Sequence, residues 1–436
     1  MKTFAFIFLF VSTLVGLAQD QDEIRTLTLE DCIQIALNKN LNVKRAENNL
    51  LAARSNQTQA KLNFLPTATF NYDYTNIDGA TITNSGDVVP NSTSQSSPDI
   101  TSNFVIFNAF ANHHLLSQRK HEYESSKYLL EDAKITVQAT VIRNYLSVLV
   151  DTENIRISDQ RLELLEGQLD REKKRESVGV GNLETVYNFQ SQVATERLNN
   201  VNLKNQYQSD LLTLLQSLQL NDGTDIRVVP LDLSSLDILL EYDDYPVVLN
   251  EIIKNSFSLK SANETSIAAK SQFRQTKTAR YPTIGFFAQH SRNFTSASDV
   301  EYTSQIENNK RDILSASLSI PIFNRFQNQN NINAAKVNML NAELQNDQAL
   351  LNVTNAAQRD YLDLVAAQTS YKTAGENFEA LDQTFNFINK RFETGNTDFY
   401  TYLESLNNKV RAEAQLINAK YTIVLRKRIL DLYRGI

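Results

Sequence analysis

The sequence contains an internal repeat with an offset of 216 residues and no gap. Proline, aromatic and glycine residues recur at this spacing, for example Pro66 and Pro282, Phe107 and Phe323, Tyr145 and Tyr361, and Gly179 and Gly395. A register carried by residues that fix turns and packing predicts two copies of one structural unit. We assign the first copy to 19–220, a connector to 221–248 and the second copy to 249–436.

Each copy is predicted to begin with a helix and a β-hairpin. In copy one, a single continuous helix is expected over roughly 29–62. The hairpins are expected at about 66–107 and about 282–323, because apolar and polar residues alternate there. About 20–25 residues rich in Ser, Asn, Thr and Gly separate the two strands of a hairpin, which favours a solvated loop.

A long helical hairpin is predicted to complete each copy. Residues 108–177 contain no proline and a single glycine, Gly167. Apolar residues that step by four and three predict a coiled-coil seam, as in Ile135, Ala139, Ile142, Leu146 and Leu149. At the rise of an α-helix, these residues would span about 105 Å. The turns are expected near Gly179 and Gly395, where glycine supplies the left-handed backbone of a helix end.

The first residues predict export. Lys2 precedes an apolar run over 4–11, and the small residues Gly16 and Ala18 follow. This pattern indicates a secretory signal peptide at 1–18, while an apolar core strand is the alternative. No later run is apolar enough for a membrane helix, and the mean hydropathy is -0.36. Cys32, the only cysteine, is expected to be a small buried helix residue.

Enzyme activity and nucleic-acid binding are not expected. The net charge of -7 argues against a general nucleic-acid binder, which needs a basic face. The sequence contains no Gly-rich phosphate loop, HExxH motif or nucleophile elbow, so we predict no catalytic residue and no cofactor. His113, His114 and His121 lack the carboxylate spacing of a metal site, and we interpret them as a surface cluster.

The alternating strands predict a membrane sheet that several chains complete. Four strands per chain are too few for a barrel, and open edges are costly in lipid. Two chains would give eight strands, three twelve and four sixteen; three is the number we favour, because twelve strands leave a wet interior. The residues expected to face lipid are Phe70, Phe104, Phe286, Leu318 and Ile320.

The chain resembles the TolC family of outer-membrane efflux and secretion channels over essentially all of its mature length. The resemblance rests on the opening segment 27–40, the Leu-Pro strand entry at Leu65-Pro66, the strand exit 320–323 and the turn 391–397. No single motif is specific, but their order and duplication are. Cys32 stands where the family usually has alanine.

The resemblance implies a mainly α fold with membrane β structure, an internal duplication and assembly as a homotrimer. A twelve-stranded β-barrel would lie in the outer membrane, and long helical hairpins would form a periplasmic α-barrel. Such channels dock on a periplasmic adaptor and an inner-membrane pump, and they export small molecules or toxic compounds. A protein-secretion duct is the alternative within this class, and an exported coiled-coil scaffold or adhesin is the alternative outside it.

The resemblance also implies a closing tip at the two glycine turns. The residues expected there are Gly179, Gly181, Phe392, Gly395 and Thr397. Phe392 takes the family's aromatic place, whereas Thr397 replaces a basic residue, so closure would need other contacts. Acidic side chains near the tip would repeat threefold around the pore and favour cations. Glu404 and Glu184 are the candidates, with ordinary solvated helix residues as the alternative.

Overall fold

The computed structural model describes residues 25–220, 226–231 and 243–436. The predicted signal peptide at 1–18 lies outside the described residues, as does much of the predicted connector. None of the helices in the described part of the chain is both long and apolar enough to cross a membrane.

The two copies contain helices and strands in a nearly parallel order. Copy one has β1 (Arg25–Leu27), α1 (Leu29–Lys39), α2 (Leu41–Leu62), β2 (Thr69–Ile82), β3 (Val88–Phe107), α3 (Ala111–Ser177) and α4 (Leu183–Ser217). The rest of the chain has β4 (Ile226–Val228), α5 (Tyr245–Asn255), α6 (Phe257–Lys277), a short 3-10 helix (Thr278–Arg280), β5 (Thr283–Arg292), β6 (Phe294–Thr295), α7 (Tyr302–Asn308), β7 (Lys310–Ser319), α8 (Gln327–Glu393) and α9 (Phe399–Arg434).

The duplication extends to the backbone. Helices α3 and α8 are both 67 residues long and lie one repeat apart. Left-handed backbone occurs at Ala109 and Phe110 in copy one, and at their counterparts Arg325 and Phe326 in copy two. Since residues with side chains rarely adopt this conformation, its recurrence shows that both copies turn from strand to helix in the same way.

The predicted continuous helix over 29–62 is wrong. It is two helices, α1 and α2, separated by Asn40, whose backbone is extended (φ -60°, ψ 127°). The same break recurs one repeat later at Ser256, whose side chain accepts a hydrogen bond from the Leu259 amide. Asn and Ser compete for backbone hydrogen bonds and favour helix ends, so one polar residue is enough to divide the helix.

The long strands form one antiparallel sheet in the order β2-β3-β5-β7, with the two-residue β6 paired to β3. Within the described residues, β2 and β7 are the open edges. The register pairs Phe70 with Ile100, Phe104 with Phe286, and Ile284 with Leu318. The polar residues between them therefore share the opposite face.

The predicted solvated loop of copy one is also wrong in its extent. Strands β2 and β3 continue to a short turn, in which the Thr83 amide donates to the Asp87 carbonyl and Gly86 has φ +88°. Threonine is common in strands, and a run rich in Ser and Thr does not by itself distinguish a strand from a loop.

The chain divides into two compact units. Among the described residues, one unit consists of 25–40, 138–220, 226–231 and 367–425, and the other of 41–137, 243–366 and 426–436. In the first unit, β1 and β4 form a parallel two-stranded sheet that the sequence did not reveal. The buried Tyr145 hydroxyl donates to the Leu27 carbonyl (3.1 Å) and the Val229 carbonyl (2.6 Å). Cys32 is fully buried, as predicted.

Candidate functional site at the hairpin turns

Both long hairpins turn through the same hydrogen-bonded motif. In copy one the Gly179 amide donates to the Glu176 carbonyl, and the Val180 amide to the Arg175 carbonyl. In copy two the Gly395 amide donates to the Phe392 carbonyl, and the Asn396 amide donates to the Arg391 carbonyl. The glycines have φ of +78° and +75°. This is the Schellman arrangement, which satisfies the last helix carbonyls and requires a left-handed residue.

The two turns differ two residues later. A Cβ placed on Gly181 would lie 2.4 Å from the Glu176 amide nitrogen, so glycine is required by close packing of the backbone. Its counterpart is Thr397, which carries a Cβ and is half-buried. Copy two must therefore follow a different path at this residue.

Side-chain caps then start the returning helices. The Asn182 side chain accepts from the Glu184 amide at 2.9 Å and begins α4. Its counterpart Asp398 accepts from the Thr401 amide (2.9 Å) and the Thr401 hydroxyl (2.7 Å). The hydrogen bonds from Thr401 lower the pKa of Asp398. Sequence reasoning missed Asp398, although a cap-forming residue just before a helix is the signal that would have found it.

A buried aromatic cluster joins the four helices behind the turns. Phe392 stacks on Tyr402 with ring centroids 4.7 Å apart, and Phe189 meets Phe399 edge-on at 4.7 Å. Phe392 is only 6% exposed and Tyr402 is fully buried. Burial raises the pKa of Tyr402 to about 12, so the ring stays neutral at physiological pH. The side chain predicted at a gate thus packs in a core that α3, α4, α8 and α9 share.

Charged side chains surround this cluster. The Arg391 guanidinium donates to the Asn396 carbonyl at 2.9 Å and lies over the Phe387 ring. Arg171 of α3 pairs with Glu393 of α8 at 3.4 Å, which links the two copies at their turns. These contacts supply basic groups to the turn region although Thr397 has none. The sequence analysis includes Arg391 only as part of the turn segment 391–397, and its contact with the Asn396 carbonyl comes from the structure.

The predicted acidic residues lie on exposed helix faces. Glu184 is in the first turn of α4, and Glu404 is in the second turn of α9. Both residues are exposed, whereas Ser405 and Leu406, which follow Glu404, are buried. These carboxylates are therefore open to solvent or to an assembled lumen.

The residues predicted to face lipid share one face of the sheet. Phe70, Phe104 and Phe286 fall on this face through the strand register, with Leu318 opposite Ile284. Ile320 lies one residue beyond β7 in the same alternation. Leu318 is 63% exposed within the single chain. The register thus gathers these large apolar side chains on one face, which also carries the polar residues Ser102, His290 and Asp312.

The histidines have separate partners. His121 Nδ1 lies 2.6 Å from Glu264, and His290 Nδ1 lies 2.6 Å from Asp312. His113 packs on the rings of Phe64 and Phe110. In the described part of the chain, no group of three or more His, Cys, Asp or Glu side chains could hold a metal ion.

Comparison with known proteins identifies the fold and the family. The family model described as outer membrane efflux protein matches residues 32–218 and 248–433, one match for each copy. Outer membrane protein TolC of Salmonella enteritidis is 21% identical over 308 residues, which is 67% of this chain. The chain spans only 60% of the length of that relative.

Solved structures show the same fold at low identity. The outer membrane protein VceC of Vibrio cholerae superposes with a TM-score of 0.78 at 13% identity, covering 93% of this chain and 96% of that chain. The CmeC outer membrane channel of Campylobacter jejuni gives 0.77 at 17% identity, covering 93% and 85%. The predicted fold class, mainly helical with a β domain and an internal duplication, is confirmed.

Proposed function

Because the chain belongs to the outer membrane efflux protein family, we propose that it is one subunit of a passive efflux duct built from three copies. Membership places it in the outer membrane, from which it extends into the periplasm, and the family is one of channels rather than enzymes. The proposal adds the trimer, the partners and the exported compounds.

The sheet is the observation that supports this proposal best. It has one apolar face and two unpaired edges, β2 and β7, within the described residues. Unpaired backbone groups are costly in lipid, so the edges would pair with those of neighbouring copies. Three copies give twelve strands and an interior wide enough for water. Phe70, Phe104, Phe286, Leu318 and Ile320 would then face lipid.

An exposed apolar stripe on α8 supports assembly independently. Val337, Leu344 and Leu351 are seven residues apart, and each is more than half exposed. The heptad spacing is that of a coiled-coil seam, and such an apolar seam favours packing against another helix. In the proposed trimer, this stripe meets a helix of the neighbouring copy.

The hairpin turns would form the periplasmic tip, where a periplasmic adaptor and an inner-membrane pump engage the duct. Gly179, Gly181 and Gly395 would shape the turns, Phe392 would brace them from the core, and Thr397 would lie at the constriction. Glu404 and Glu184 would line the pore. The exported cargo would be small or toxic molecules, with the energy supplied by the pump.

The assembly can be tested on the purified protein. Membranes washed with carbonate should retain the chain, and detergent should release a trimer that conducts ions in planar bilayers. A carbonate-released monomer without conductance would instead support the scaffold alternative. A transport assay in cells that carry the matching pump separates the two kinds of duct. An efflux duct should export a small fluorescent compound, whereas a secretion duct should export a protein cargo.

The constriction can be tested with cysteines at Thr394 and Thr397. The natural Cys32 is buried and should not interfere. If the turns meet at the pore axis, oxidation should crosslink neighbouring subunits and abolish conductance until a reductant is added. Thiols that stay free in an intact trimer would move the constriction elsewhere.

A further inference from the structure

A cavity of about 270 Å³ lies between α3, α4 and α9 in the unit that contains the turns. Asp151 of α3 and Asp210 of α4 both line it. Their repeat counterparts are Ala367 and Arg426, so copy two lacks this carboxyl pair. The duplicated fold therefore does not require it.

The Asp151 side chain is buried beside the Asp210 carboxylate. The residue is 8% exposed, and its Oδ2 atom is buried and accepts no hydrogen bond. Burial, followed by the neighbouring Asp210, raises the pKa of Asp151 to about 7. A buried oxygen without a partner is costly, and two adjacent carboxylates repel unless a proton or a cation lies between them.

Two polar side chains of α9 at the cavity, Asn418 and Thr422, use their donor groups elsewhere. The Thr422 hydroxyl donates to the Asn418 backbone carbonyl at 2.7 Å, and the Asn418 side-chain nitrogen donates to the Ala414 carbonyl at 2.8 Å. The side-chain oxygens of Thr422 and Asn418 thus remain as acceptors. Gln206 donates to Oδ1 of Asp210 at 3.1 Å, so the second oxygen of that carboxylate, Oδ2, is the one that a cation could bind. Such a set of oxygen atoms suits a hard cation.

The other titratable groups lining the cavity do not neutralise the pair. Arg143 of α3 lies at the cavity but is exposed to solvent. On α9, Tyr421 carries no charge, since burial, with Glu153, raises the pKa of its hydroxyl. Two carboxylates with neutral oxygens and water are a ligand set for Ca²⁺, which accepts six to eight oxygens in irregular geometry, rather than for metals that prefer His and Cys.

We propose that Asp151 and Asp210 bind Ca²⁺ in this cavity, with the side-chain oxygens of Asn418 and Thr422 and with water completing the ligands. The bound ion would hold α3, α4 and α9 together. The corresponding positions of copy two lack the two carboxylates.

Calorimetric titration of CaCl₂ into the chelator-treated, full-length protein in detergent at pH 8 tests the site. Saturable binding is expected for the natural protein. Asp151→Asn and Asp210→Asn should each weaken it at least tenfold. Glu163→Gln, which changes an exposed carboxylate of the same helix, should not. Absence of saturable binding, or unchanged affinity in Asp151→Asn, would overturn the proposal.

A second measurement guards against misfolding. Ca²⁺ should raise the melting temperature of the natural protein but not of the two Asn variants, which remove a repulsion and should fold at least as well without Ca²⁺. Absence of any Ca²⁺-dependent rise in the melting temperature of the natural protein would contradict binding at this pair.

Discussion

At the scale of single residues, the glycines have different roles. Gly179 and Gly395 supply left-handed backbone, and Gly181 permits a close approach of two backbone segments. Gly167 lies inside α3, ten residues before its end, and a Cβ there would meet nothing within 4 Å. One residue type thus has three physical meanings, and only the coordinates distinguish them.

Alanine substitutions should separate these roles. Gly167→Ala should stabilise the chain by about 0.5–1 kcal/mol, because alanine is the better residue inside a helix. Gly181→Ala should instead destabilise it by about 1–3 kcal/mol, because the new Cβ meets the Glu176 backbone and the turn must shift. Thermal melting of the detergent-solubilised protein measures both. If the two variants melt alike, the close approach at Gly181 is not present.

Phe392 gives the second prediction at this scale. Its ring is buried against Tyr402, so Phe392→Ala should cost about 3–5 kcal/mol of stability, the usual range for a core phenylalanine. Phe387 lies on the same helix but is 64% exposed, and Phe387→Ala should change stability little. If Phe392→Ala keeps the natural stability but alters the conductance, then this ring lies at the pore and not in the core.

At the scale of the strand and the helix, periodicity determines which surface a residue joins. In β7, Leu318 and Ser317 are neighbours in sequence but lie on opposite faces of the sheet. Along α8, one heptad seam is buried at Leu364, Phe385 and Phe392, while Val337, Leu344 and Leu351 form another that is exposed. Two seams on one helix predict contacts with two sets of neighbours.

Arginine substitutions test the sheet register. Leu318→Arg should cost about 2–4 kcal/mol if the residue lies near the middle of the bilayer, because a charge must enter lipid. Ser317→Arg, on the opposite face, should be tolerated. The free energy of unfolding of each variant, measured after transfer from detergent into lipid bilayers, compares the two. A larger cost for Ser317→Arg than for Leu318→Arg would mean that the register is shifted by one residue, and equal costs would mean that neither side chain alone faces lipid.

At the scale of the whole molecule, the part of the chain that the structure describes leaves apolar surface and two strand edges, β2 and β7, without partners. Leu344→Glu should weaken the trimer, because it places a charge in the exposed seam, while the helices of the monomer still fold. Gln345→Glu adds the same charge one position further round the helix and should assemble normally. Light scattering of the detergent-solubilised Leu344→Glu and Gln345→Glu variants measures the mass of each assembly. A trimer that survives Leu344→Glu unchanged would exclude this stripe from the interface.

The sequence by itself determined the duplication, the long helices, the strand alternation and the positions of both turns. These features are local or repeat at fixed spacing, so residue types alone record them. It did not reveal the divisions at Asn40 and Ser256, because a single capping residue barely changes the helical pattern. It also extended the hairpin loop too far, because Ser and Thr occur in both strands and loops.

Only the tertiary structure decided which residues share a surface. It placed Phe392 in a core, paired β1 with β4 across about 200 residues of chain, and set Asp151 beside Asp210. These contacts join segments that are distant in sequence, and no local spacing encodes which face of one helix meets another. The packing of four helices supplies that information, because burial requires their apolar faces to fit together at the same time.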